Sequence, residues 1–229
     1  MQREIVDVPR GLLRLLEVDW DIDWRAQGLR DSADGVSTAV INRFPRWSGS
    51  PRVVLSGERL RAWRAIRAEA QGLVGLYRVP MVDPVGYRPQ AAAEAAGIAA
   101  TGVPFSTGEV FSHGQGFAFD PVALATAGFA AGAREITLDT ATAGGFPKVG
   151  QILSHDDRPF MVTAILATSG TECTIRIQLP LRADLPAGGR VQMQARGIFQ
   201  AAEQQMGNPS YGRDQVSRVR LSFQEVLNR

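Results

Sequence analysis

Several things are scarce in this chain of 229 residues, and each scarcity excludes something. There is one cysteine, Cys173, so no intrachain disulfide can form. There are two histidines, His113 and His155, too few for a histidine-rich metal centre. Lys148 is the only lysine among 25 basic residues, and no short window concentrates the arginines. With 23 acidic residues the net charge is only +2, which argues against nucleic acid as a main partner held by a basic surface. Long apolar runs are missing too. Uncharged stretches such as 95–108 are too short and too broken by Gly and Pro to span a bilayer, so no membrane insertion is expected. No basic start precedes an apolar run, so no secretory signal is expected.

What is present is a β pattern. Hydrophobic residues make up 45% of the chain, enough for a core, and 24 Gly with 13 Pro imply many turns. Residues 16–24 read LEVDWDIDW. Side chains two apart share one face of a strand, so Asp19, Asp21 and Asp23 are predicted on one face. Val18, Trp20, Ile22 and Trp24 are predicted on the other. The stretch reads as one half-buried antiparallel strand. Shorter strand signals cover 36–44, 52–55 and 73–79. Between the last two, Leu60, Trp63, Ile66 and Ala70 recur at helical spacing, with Ser56 as N-cap and Gly72 as stop. That predicts an amphipathic helix over 57–71, its Arg59, Arg61, Arg64 and Arg67 flanking the apolar stripe as solvated charges.

Residues 81–129 are rich in Ala, Gly and Pro and read as a loop or arm, with a short helix near 91–100. From Arg134 the period of two returns, in Ile136 and Leu138, in Cys173, Ile175 and Ile177, and in Val191 and Met193. Turns at Gly170 and at Gly188–Gly189 separate these runs. Such short strands without an intervening helix predict a small barrel or sandwich over 130–196. In this pattern Cys173 reads as a small buried hydrophobe. A final strand carries Val219, Leu221 and Phe223. Its apolar face needs a partner sheet, and the N-terminal strands are the natural one. The expected fold is therefore mainly β. A discontinuous sandwich-like domain, 1–80 with 197–229, carries one packed helix and hosts the 130–196 module as an insert.

Chemical motifs are few. His155, Asp156 and Asp157 are consecutive, so their side chains do not readily converge on one ion. There is no G-x-S-x-G elbow and no phosphate loop; Gly114-Gln115-Gly116 matches only half of a dinucleotide fingerprint. Neighbouring aspartates of one strand face stand about 6–7 Å apart, a spacing compatible with glycoside hydrolysis. Yet Trp20 and Trp24 point away from them and build no sugar platform. No catalytic residue, metal or cofactor is expected. The acidic face is instead expected to meet arginines of a neighbouring strand or subunit, with Arg218 and Arg220 as candidates. Trp47, Tyr87 and Tyr211 are candidate peripheral contacts for a glycan, against the alternative of loop residues packed on the sheet.

Four segments together resemble the distal tail proteins of long-tailed, non-contractile phages and of related gene transfer particles. These are WDIDW at 20–24, PRVVLSGERLRAWRAIRAEAQG at 51–72, the run from AGAREITLDT at 131 through IQLPLRADLPAGGRVQMQARGIF ending at 199, and VSRVRLSFQEVL at 216–227. A Pro-Pro-Leu-Arg-like turn of that family corresponds here to Leu179-Pro180-Leu181-Arg182, with one proline missing. The resemblance spans most of the chain. It implies a homo-hexameric ring at the tail tip of the virion, assembled in the host cytoplasm. One face would continue the tail tube protein and the other would dock a trimeric hub protein. The N-terminal domain would form the ring, and the second domain would project outward toward side fibres or host surface glycans. DNA would pass through the channel without specific binding. Asp19, Asp21 and Asp23 would then face either the channel or a neighbour. A baseplate carbohydrate-binding module and another minor tail or hub protein are the alternative expectations.

Overall fold

The computed structural model describes residues 3–13, 15–25, 27–31, 37–40, 44–95, 97–98, 102–117 and 119–228. In chain order the strands before the helix are β1 (Ile5–Asp7), β2 (Leu15–Glu17), β3 (Asp21–Asp23), β4 (Gln27–Asp31), β5 (Ser37–Val40), β6 (Arg46–Gly49) and β7 (Arg52–Ser56). Helix α1 (Gly57–Glu69), β8 (Leu76–Pro80) and the short helix α2 (Pro89–Ala95) follow. Then come β9 (Val122–Ala125), β10 (Glu135–Asp139), β11 (Ile152–His155), β12 (Arg158–Ser169), β13 (Glu172–Gln178), β14 (Arg190–Gln192), β15 (Arg196–Ala201), β16 (Val216–Arg220) and β17 (Phe223–Glu225). The fold is mainly β, with two compact units. One joins residues 1–79 to 198–229, and the other is the continuous segment 80–197.

The first unit holds a six-stranded sheet in the order β1-β8-β15-β17-β6-β3 and a three-stranded sheet in the order β16-β7-β2. The three chain segments β2–β3, β6–β7 and β16–β17 each cross from one sheet to the other. This corrects the reading of LEVDWDIDW as one strand. Leu15 pairs with Val53 in the three-stranded sheet, whereas Asp21–Asp23 pair with Arg46–Ser48 in the six-stranded one. Residues 18–20 are the bend between them. The closing strand divides in the same way, at Leu221–Ser222. Period-two burial persists through that bend, from Ser217 through Val219, Leu221 and Phe223 to Glu225. Corners of this kind are how packed sheets exchange strands.

Helix α1 lies against β7, β16 and β1. Leu60, Trp63, Ile66 and Ala70 are buried, as their spacing predicts. Ser56 has the extended backbone of an N-cap, but its hydroxyl makes no cap bond. Trp63 Nε1 donates to the Gly207 carbonyl at 2.7 Å. Gly207 has φ +60°, and a Cβ there would run into Trp63 and Leu221, so only glycine fits.

The second unit is a closed barrel, β10-β13-β12-β11-β14-β9, with β9 also paired to β10. Ile136, Leu138, Phe160, Val162, Cys173, Ile175, Ile177 and Val191 fill it. β9 closes the ring between β10 and β14, so the module begins before residue 130. The 81–129 arm of the sequence reading therefore contains a barrel strand. Its Val-Ala-Leu-Ala composition carries little β signal, which is why it passed for loop. The HDDR segment is a two-residue hairpin turn. Asp156 and Asp157 have φ of +49° and +56°, and His155 pairs with Arg158 across it.

Candidate functional site

The acidic face of the opening motif sits at the corner between the two sheets. Asp19 lies in the bend, where its Oδ1 accepts the Ser50 backbone N–H at 2.5 Å and its Oδ2 stands 3.6 Å from Arg220 Nη2. The Leu221 N–H donates to the Pro51 carbonyl at 2.9 Å. One carboxylate thus ties together the bends of all three crossing segments. Behind it the Trp20 ring lies directly over Gly49, where any Cβ would collide with it. Trp20 also stacks on Phe223 at 6.2 Å and packs on Phe199 at 5.2 Å. The absence of a side chain at Gly49 lets the indole close the corner.

The three aspartates do not form one site. Asp23 pairs with Arg46 on the neighbouring strand, Nε to Oδ2 at 3.3 Å, and accepts the Arg25 N–H at 3.0 Å. Asp21 is exposed. Its Oδ1 accepts the Ile22 N–H at 2.7 Å, and no cation approaches within ion-pair distance among the described residues. Of the two candidate arginines, Arg220 reaches Asp19, while Arg218 is exposed and forms no ion pair among the described residues. Both lie on β16, at one edge of the three-stranded sheet. β3, carrying Asp21 and Asp23, is an edge of the six-stranded sheet. Charge on so short an edge strand blocks unregulated strand pairing.

The peripheral aromatics divide. Trp47 is 0% exposed, on β6, and its backbone N–H donates to the buried Glu225 Oε2 at 2.9 Å. This corrects its assignment as a surface contact: the RWSG stretch is a strand in the sheet interior and not a loop. Tyr87 is partly buried against the barrel core. Tyr211 is 45% exposed, and its hydroxyl accepts a bond from Arg64 Nη1 at 3.2 Å. Trp24, placed on the buried face by the alternation, is 48% exposed instead. The chain turns at Arg25, whose φ is +51°, and the strand period ends there.

Other chemistry lies in the barrel unit. Cys173 is fully buried, and burial pushes its thiol above the usual range. Asp139 accepts the Ala141 N–H at 3.0 Å, and this bond, with one from the Thr171 hydroxyl, holds its carboxyl below the usual range. Among the described residues, no three His, Cys, Asp or Glu side chains gather where they could hold a metal. Nor is any described helix long and apolar enough to cross a membrane. A cavity of about 610 Å³ is lined by Tyr87, Arg88, Phe146, Lys148 and Met193. Phe105, Phe111 and Phe117 form an exposed triangle of rings, each pair 5.1 Å apart. The sequence reading missed this cluster. Its signal is the repeat of Phe-Ser-x-Gly six residues on, at 105–108 and 111–114, with a tight turn closed at each glycine. No protein-family model matches the chain, and no significant match emerges among curated proteins.

Proposed function

We propose that the protein is a structural component of a phage tail tip. Six copies form a ring that joins the tail tube to a trimeric hub and leaves a channel for DNA. The observation that supports this reading best is the contrast between the two units. The first has sheet edges at β1, β3, β2 and β16, with Asp21 exposed at one and Arg218 at another. The barrel of the second unit has none among the described residues, because its sheet closes on itself. A ring built from identical copies needs two different, complementary patches on each copy. Opposite charges at separate edges of one unit meet that requirement. The resemblance assigns ring formation to this same unit.

Native mass spectrometry and particle imaging test the reading. A six-membered ring is the expected result. Replacing residues 80–197 by a short linker should preserve the ring, because the barrel contributes no open edge. A wild-type chain that stays monomeric at high concentration, alone and with tube and hub proteins, refutes the proposal. A chain that hydrolyses a glycan and loses this activity in Asp21→Asn refutes it equally.

A further inference from the structure

The arginines of α1 are not equivalent. Several arginines elsewhere in the chain stand beside carboxylates: Arg46 by Asp23, Arg52 by Glu17, Arg78 by Asp7, Arg176 by Glu135 and Arg190 by Asp120. Arg64 and Arg67 do not. Arg64 Nη1 donates to the Tyr211 hydroxyl, and Arg67 Nη1 donates to Asn208 Oδ1, each at 3.2 Å. Both anchors are neutral, so both positive charges remain uncompensated among the described residues. Three residues apart on a helix, the two side chains lie on neighbouring positions of one face. They line a groove of about 520 Å³ together with Gln71, Asn208, Pro209 and Tyr211. No carboxylate lines it. The Arg67 charge is felt at the buried Tyr77 phenol, where it partly offsets the rise that burial causes.

We infer that this groove binds a phosphate group carried on a small ring-bearing polar molecule, with a sugar phosphate as the fitting class. Each guanidinium has five N–H donors in a planar fork, and its anchor takes one. The remaining donors can meet the several acceptor oxygens of a phosphate, in the geometry that makes arginine the preferred phosphate partner. The neutral anchors hold the forks in place without cancelling their charge. Beside them the half-exposed Tyr211 ring offers an apolar face for a sugar ring, and the volume suits a ligand of monosaccharide size. The inference does not depend on ring assembly.

The test titrates the full-length, isotopically labelled chain with glucose 6-phosphate, glucose and a short single-stranded oligonucleotide, following the arginine Nε–H resonances. Glucose 6-phosphate should shift Arg64 and Arg67 saturably, and glucose should not. The double variant Arg64→Gln, Arg67→Gln should weaken binding by about tenfold or more. Tyr211→Ala should weaken it by about threefold while leaving the phosphate-induced shift of Arg67 in place. Arg59→Gln should change nothing. Far-UV circular dichroism verifies that each variant is folded, and Arg64→Lys, which keeps charge but loses the fork, should be intermediate. Shifts at Arg59 and Arg61 equal to those at Arg64 and Arg67 would overturn the site. An unaltered affinity in the double variant would do so too. Tighter binding of the oligonucleotide per phosphate than of glucose 6-phosphate would overturn the ligand class.

Discussion

The barrel unit and the first unit solve the same problem in different ways. Both must bury apolar faces of short β-strands. The barrel does so by closure: each strand has two neighbours, and one cluster from Ala123 to Met193 fills the interior. The first unit folds its strands across a corner between two sheets and leaves edges on both. Closure removes edges and with them the chance of adding another strand. A cornered pair of sheets keeps that chance and must control it with charge. The comparison leaves open strand edges on the first unit and a closed ring of strands in the second.

The hardest blow to this contrast is removal of residues 216–225. It deletes an edge strand of one sheet and an interior strand of the other, so the first unit should fail to fold. Residues 80–197 expressed alone should still show a cooperative thermal transition, and a truncated full chain with two transitions would break the comparison. Next in size is Phe160→Ala, which empties the barrel core and should cost about 3–5 kcal/mol by urea unfolding. Gly49→Val attacks the corner instead. It drives a side chain into Trp20 and should cost about 1–3 kcal/mol, with a change in indole fluorescence. Finer still is the difference among the aspartates. Asp19→Ala removes the tie between bends and should cost about 1 kcal/mol, while Asp21→Asn should stay within about 0.5 kcal/mol. Equal effects at the two positions would show that the corner tie contributes nothing.

Titration sharpens the contrast further. Burial raises the phenol of Tyr77 in the first unit and the thiol of Cys173 in the barrel. In each case the folded state holds its proton to higher pH than the unfolded chain. Stability associated with these groups is intact below their ordinary ranges and declines as pH rises through the raised values. The advantage of wild type over Tyr77→Phe in urea midpoint should therefore shrink between neutral and strongly alkaline pH. Cys173 should resist thiol reagents at neutral pH until the barrel is unfolded.

Much of this architecture is legible in the residues. The period of two at Ile136–Leu138 and Cys173–Ile177, and the helical spacing of Leu60, Trp63 and Ile66, directly encode which faces are buried. The final strand's need for partners across the sequence followed from its apolar face, and β7 and β6 supply them. The corner was not legible. Alternation of burial runs unbroken through the bend at Leu221, so no change of period marks the change of sheet. Trp47 was misplaced because Gly and Ser around it imitate a loop, although a small residue at Gly49 is what the Trp20 ring requires. The anchors of Arg64 and Arg67 come from a polar segment some 140 residues away, at Asn208 and Tyr211, a distance no local pattern spans.

β17 occupies an interior position of its sheet, between β15 and β6, although it is synthesised after the whole barrel. A ribosome adding about 5–20 residues per second delivers the whole barrel sequence before β16 and β17 exist. The inserted unit can mature while its host is still waiting. Until residue 225 emerges, β7 and β6 each have only one of their two antiparallel neighbours, β2 and β3 respectively. Translation order therefore acts as a checkpoint: a chain stopped before residue 216 carries the whole barrel sequence but an incomplete first unit.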